Sequence, residues 1–255
     1  MGSIVIKSAH EIELMRQAGR ITAGARSIAR QAIADGMTTK AIDKAVNEFI
    51  KKSGAIPTFL GYGGFPGSAC VSVNDTVIHG IPGKRVIHNG DIVSVDVGAT
   101  YKGYVGDCAG TYACGEISEE AKKLIEVTRQ SFFEGLKFAK VGYRVNDIGT
   151  AIQEYVESHG FSVVREFVGH GVGREMHEAP EVPNYKVRLS SGNPRLVPGM
   201  TIAVEPMVNI GDWRVKVLDD GWTTVTADGT LSAHYENTIA ITDGEPEILT
   251  MAEDI

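Results

Sequence analysis

NGDIVSVD, residues 89–96, has a counterpart 109 positions later in PGMTIAVE, residues 198–205. Both read glycine, one residue, a β-branched pair, a small residue, valine, then a carboxylate. The apolar runs are strand-like, so Asp96 and Glu205 each close a strand. Upstream, GMTTKAIDKAVNEFIKKSG from Gly36 aligns without a gap with GYRVNDIGTAIQEYVESHG from Gly142. Ile42 matches Ile148, Val46 matches Ile152, Phe49 matches Tyr155 and Gly54 matches Gly160. Two amphipathic helices alone could match by chance; helices and strands repeating in the same order argue for a duplicated unit. Each half, roughly 8–115 and 118–243, would hold two helices followed by antiparallel strands. The whole chain would form one α+β domain about a pseudo-two-fold axis. Asp107 and Glu236 sit near the ends of the following strands in each half, so four carboxylates would converge near that axis.

The periodicity predicts helices over 8–34, 39–52, 118–140 and 145–159. Ser8 with Glu11 forms a capping-box pattern and Ser118 caps the third helix. Cys70–Val73 reads as a half-buried strand and Asn74-Asp75 as a turn. Strands are predicted over 91–97, through Asp107 to Tyr112, and over 201–208, 215–218, 223–226 and 233–242, with a polar loop at 190–198. Between the halves' elements lies FVGHGVGREMH, residues 167–177, where Gly169, Gly171 and Gly173 surround His170. Glycine on both sides lets the backbone bend and come close to a ligand. By itself this stretch could be a flexible loop whose histidines touch only water.

Four buried acids cannot stay ionised together without a partner, because desolvation and repulsion raise their pKa values. VSVDVGA and IAVEPMV offer no basic side chain. A dinuclear divalent metal site is the simplest relief, with ions ~3.5–4 Å apart sharing carboxylates. Acid-rich ligation with a single histidine suits Mn²⁺, Fe²⁺ or Co²⁺, and also accepts Zn²⁺.

The totals narrow the class. The 255 residues are 43% hydrophobic and 22% charged, as in an ordinary globular protein. A net charge of −7 argues against a surface built to grip nucleic acid or an anionic membrane. Three cysteines without metal-type spacing argue for a reducing compartment. No apolar run reaches the ~18 residues of a membrane span, and the first residues lack the long apolar core of a signal peptide.

VGHGVGREMHEAPEVPNY, NDTVIHGIPG, VEPMV and LSAHYENTIAIT, with the Asp96/Asp107 pair, resemble the signature of type I methionine aminopeptidases over nearly the whole chain. The resemblance implies the pita-bread fold. It implies two divalent ions held by Asp96, Asp107, His170, Glu205 and Glu236, with Asp107 and Glu236 bridging and Glu205 also acting as acid/base. It turns His79, on the residues alone a surface histidine in a turn, into a substrate contact alongside His177. It implies a methionine pocket of Phe59, Tyr62, Phe65, Cys70, Met176 and Trp222, residues that composition alone would leave as core. Phe59 and Met176 depart from the residues common at those places. The expected activity is release of methionine from nascent polypeptide N-termini with a small second residue. The expected setting is a cytoplasmic monomer making transient ribosome contact. The competing readings are a proline-specific peptidase of the same fold, disfavoured by the ~10 residues before the first helix, and a non-catalytic binding protein, disfavoured by the complete ligand set.

Overall fold

A computed structural model describes residues 3–187 and 192–251. In chain order the elements are α1 (Ala9–Ala32), α2 (Thr39–Lys52), β1 (Ile56–Pro57), a short 3₁₀ turn at Tyr62–Gly64, β2 (Ala69–Val73), β3 (Thr76–Ile78), β4 (Ile92–Tyr101) and β5 (Tyr104–Ala113). The second half follows with α3 (Glu119–Leu136), α4 (Val145–Ser158), β6 (Ser162–Val163), β7 (Gly169–Gly171), β8 (Glu178–Val182), β9 (Thr201–Val204) and β10 (Met207–Asn209). It closes with β11 (Val215–Val217), β12 (Thr224–Thr226), β13 (Ser232–His234), β14 (Asn237–Ala240) and β15 (Glu247–Ile248).

The helix starts are set by their caps. Ser8 and Glu11 make the reciprocal capping box, and Thr38 and Ser118 each accept a backbone N–H three residues on. The repeat is also visible in the backbone: Gly36 and Gly142, and Gly54 and Gly160, all take left-handed φ values, which only glycine adopts freely. The third helix stops at Leu136, short of the predicted Lys140.

In the first half β4 and β5 form a long antiparallel hairpin, paired from Ile92↔Ala113 to Tyr101↔Tyr104. β1 and β2 pair along the other edge of β4. All five residues of β2 are buried, not alternate ones, because α2 packs on this strand and the functional cavity takes Cys70. In the second half β9 pairs with β14 on one side and β7 on the other, within the order β15-β14-β9-β7-β8. Here the predicted long strands are interrupted. Residues 201–208 break at Glu205-Pro206, where proline cannot donate to a ladder. Residues 233–242 break at Tyr235-Glu236.

The halves meet along one seam. Glu236 N–H donates to Ala109 O (3.1 Å), and Ala109 N–H donates to Glu236 O (3.3 Å). On one side Thr238 Oγ1 accepts from Asp107 N–H (3.0 Å) and donates to Asp107 O (2.9 Å). On the other Thr111 Oγ1 accepts from His234 N–H (2.8 Å) and donates to His234 O (2.9 Å). α1 backs this seam closely. A Cβ on Gly106 would lie 2.9 Å from the Gly19 backbone, and one on Gly19 would lie 2.0 Å from Leu249 O.

Candidate active site

The carboxylates that the repeat predicts to converge do so, in one cavity of about 170 Å³. Asp96 comes from β4 and Asp107 from β5. Glu205 and Glu236 come from the two interruptions in the second half, and His170 from β7. Phe59, Tyr62, Phe65, Cys70, His79, Met176, His177 and Trp222 line the same cavity, so every residue singled out in the sequence meets there.

The Gly-His-Gly stretch is strand, not a bent loop. None of its glycines has positive φ. They are needed for close packing: a Cβ on Gly169 would sit 2.3 Å from Ala203 O, and one on Gly171 2.3 Å from Ala179 O. This pressing together fixes the His170 ring. Its Nδ1–H donates to Gly171 O at 2.8 Å. Nε2 is therefore left as a lone pair, 3.6 Å from Asp107 Oδ2 and 3.5 Å from Glu205 Oε1. Ligand atoms of Asp107, His170 and Glu236 all lie within 4.8 Å of one another. Asp96 and Glu205 flank this trio.

Burial raises all four carboxyl pKa values, and their mutual charge adds to it for Asp96, Glu205 and Glu236. Asp107 rises less, to about 7, because Glu236 and Asp96 hydrogen-bond to it. Asp96 Oδ1, Asp107 Oδ1 and Glu236 Oε1 are buried without a hydrogen-bond partner. Such orphaned hard oxygens beside an imidazole lone pair are the donor set a divalent cation satisfies. The histidines are held neutral. Burial pushes His79 and His177 down to about 4 and His234 to about 3. Tyr62 OH lies 2.7 Å from His177 Nδ1. Burial keeps that phenol protonated. A phenol donating to Nδ1 would leave the proton of His177 on Nε2. His79 holds a positive φ of 56° without being glycine, a strained conformation of the kind found at working sites. Its ring is wedged edge-on against Phe167 and Trp222.

Residues 13–243 match the profile of Metallopeptidase family M24. The chain belongs to metallopeptidase family M24. The M24 relatives include a protein named methionine aminopeptidase from Clostridium acetobutylicum, 57% identical, covering 98% of this chain and all of the relative. Methionine aminopeptidase 1 of Bacillus subtilis is 53% identical over 97% of this chain and 99% of its own. The crystal structure of a Thermotoga maritima methionine aminopeptidase superposes with a TM-score of 0.94 at 50% identity, covering 98% of this chain and all of that one. A prolidase from Pyrococcus furiosus shares the M24 fold, with a TM-score of 0.77 at 23% identity, and 66% of its chain is covered. The M24 assignment makes the chain a metallopeptidase with the pita-bread architecture.

The sequence reading missed other parts of the M24 site. Ile78, Phe167 and Val168 also line the cavity. His234 is buried beside Glu205, its Nε2 3.9 Å from Oε2. The segments flanking the acids carry no basic residue, but one from α1 reaches the backbone behind them. Buried Arg26 of α1 donates to Ala109 O and Glu236 O, each at 3.1 Å, and to Asn237 Oδ1 at 3.3 Å. It holds the backbone behind the carboxylates rather than neutralising them.

Proposed function

We propose that this chain is a metal-dependent aminopeptidase. It hydrolyses the first peptide bond of nascent chains, releases methionine and favours a small second residue. The observation that carries this reading is adjacency. The orphaned oxygens of Asp96, Asp107 and Glu236 open into the same cavity as the apolar side chains of Phe59, Phe65, Cys70 and Met176. A cavity of ~150 Å³ takes a benzene-sized group, so this one of about 170 Å³ suits one unbranched side chain.

Two divalent ions, Mn²⁺, Fe²⁺, Co²⁺ or Zn²⁺, would be held by Asp96, Asp107, His170, Glu205 and Glu236, with Asp107 and Glu236 shared. Bound there, they supply Lewis acidity and lower the pKa of water. The chain's own residues do the rest. Glu205, beside the His170 lone pair, takes a proton from the attacking water and returns it to the leaving amine. Neutral His79 and His177 donate N–H to the oxygen of the tetrahedral intermediate, and Tyr62 keeps the His177 proton on Nε2. Phe59, Phe65, Met176 and Trp222 exclude water and offer methionine a polarizable apolar wall. His79 and Phe167, edge to face at one wall of the cavity, would leave room only for a small second residue. The protein works as a cytoplasmic monomer meeting nascent chains, in transient contact with the ribosome. No helix among the described residues is long and apolar enough to cross a membrane.

The test is turnover of Met-Gly-Met-Met, Leu-Gly-Met-Met and Gly-Pro-Gly after chelation, with Mn²⁺, Fe²⁺, Co²⁺ or Zn²⁺ restored singly. Metal-dependent release of methionine from the first peptide alone is expected. Cleavage of Gly-Pro-Gly would move the assignment to proline peptidases. No cleavage of any peptide by folded, metal-loaded protein would leave a binding protein.

A further inference from the structure

We propose that Lys7 and Glu178 form a buried positioning pair that sets Met176 and His177 against the substrate; the inference rests on the aminopeptidase reading above. Lys7 Nζ lies 2.5 Å from Glu178 Oε2, with the two side chains only 2% and 10% exposed. Among the described residues Lys7 is the cation paired with this carboxylate. Lys7 is itself anchored, its backbone N–H donating to Gly199 O at 2.8 Å and its Nζ to Val5 O at 3.2 Å. The other oxygen of Glu178 closes a turn. Oε1 accepts the N–H of Arg174 at 2.9 Å and of Glu175 at 3.3 Å.

That turn, Gly173–Glu178, is where the substrate cavity receives Met176 and His177. It is packed without slack. A Cβ on Gly173 would come within 2.5 Å of Glu178 Oε1 and of Lys7 Cε. Glu178 also begins β8 opposite Gly171, next to a register shift at His170. One carboxylate thus ties the first residues of the chain, the turn and the strand beside His170. Without Lys7 the carboxylate would be buried and unpaired, a costly state. Its escape to water runs through the turn it closes. Met176 and His177 would then shift, while Asp96, Asp107, Glu205 and Glu236 lie on other segments and would not.

The experiment compares Lys7→Met, Glu178→Gln and the double variant with the unaltered metal-loaded protein. Lys7→Met is expected to lower kcat/KM for Met-Gly-Met-Met roughly 10- to 100-fold, the usual scale for an ångström of misplacement. KM should rise and kcat fall together, since both pocket wall and intermediate contact move. Mn²⁺ affinity by calorimetry should stay within about 2-fold, the four carboxylate ligands being left in place. The double variant, with no unpaired charge, should recover about tenfold over Lys7→Met. In metal-free protein the ¹³C–¹H imidazole resonance of His177 should shift in Lys7→Met and return in the double variant. If Lys7→Met does not fold, Glu178→Gln alone carries the same comparison of KM, kcat and resonance. A loss of melting temperature and active fraction with unchanged KM and kcat per active site would overturn the proposal. So would a double variant no better than the product of the singles. Failure of the unaltered protein to release methionine would sink the aminopeptidase reading instead, and the His177 resonance would still report on the pair.

Discussion

The two halves of this chain solve one problem differently. The first presents short aspartates from an unbroken hairpin of two ten-residue strands, β4 and β5. The second presents longer glutamates from places where its strands stop, at Glu205-Pro206 and Tyr235-Glu236. A continuous ladder fixes where a side chain begins, so a short arm suffices. A break lets the backbone swing its carboxyl inward, and the longer arm reaches the cavity. The break at Glu205 is held, not loose, since Asn184 Nδ2–H donates to Glu205 O at 3.0 Å. The lesson is that duplication supplied the scaffold, while departure from symmetry supplied separate roles.

The sharpest way to break this contrast is Glu205→Gln. If the interrupted half carries the proton, hydrolysis should fall about 10³-fold, within the range for lost acid–base catalysis, measured as kcat with metal content checked by atomic absorption. Near-normal turnover would make Glu205 a holder only. Next comes Asp107→Asn on the rigid side. It keeps the shape but removes a buried charge, so Mn²⁺ affinity by calorimetry should fall about 100-fold, and unchanged affinity would remove Asp107 from the ligand set.

A third measurement treats the four acids as a group. Their folded pKa values are raised above the unfolded ones, so their stabilisation is present at low pH and lost as pH climbs through the folded values. The buried histidines, with lowered values, act the other way, but their contribution is complete above the unfolded value of ~6.5. Between pH 6.5 and 8 only the acids remain, and Asp107 at about 7 lies inside that window. Metal-free protein should therefore melt several degrees lower at pH 8 than at pH 6.5, and Mn²⁺ should abolish the difference. A flat profile would mean that the acids are not buried together. The smallest effect tests the seam. Thr238→Val strands the N–H and C=O of Asp107 and should cost about 2 kcal/mol by denaturant unfolding; no change would show that water replaces the hydroxyl.

Much of this was legible in the residues because it was written twice. The helices and the strands bearing Asp96 and Glu205 recur in order, and recurrence carried the convergence of the acids, although β4 runs on past Asp96 to Tyr101 instead of closing there. What stayed hidden lacked a local pattern. β7 is three residues long, too short for any period, so Gly169–Gly171 reads as loop. The break before Glu236 is invisible because Ser232–Ala240 alternates well enough for one strand. His234, placed inside that run, looked like an ordinary strand residue. Arg26 could not be read at all, since its partners are carbonyls 83 and 210 residues away. The polar loop expected at 190–198 begins outside the described residues.

The close seating of α1 has a consequence for biosynthesis. Its Gly19 rests on the backbone of Leu249, and its Arg26 reaches toward Thr250 O at 3.5 Å as well as Glu236 O. Domains fold as they emerge, N-terminal portions first, yet α1 finds its final partners as much as 224 residues further along the chain. Such long-range closure slows folding. A ribosome still synthesising this chain therefore carries an incomplete catalyst, and competence arrives only when residues near 250 have cleared the exit tunnel.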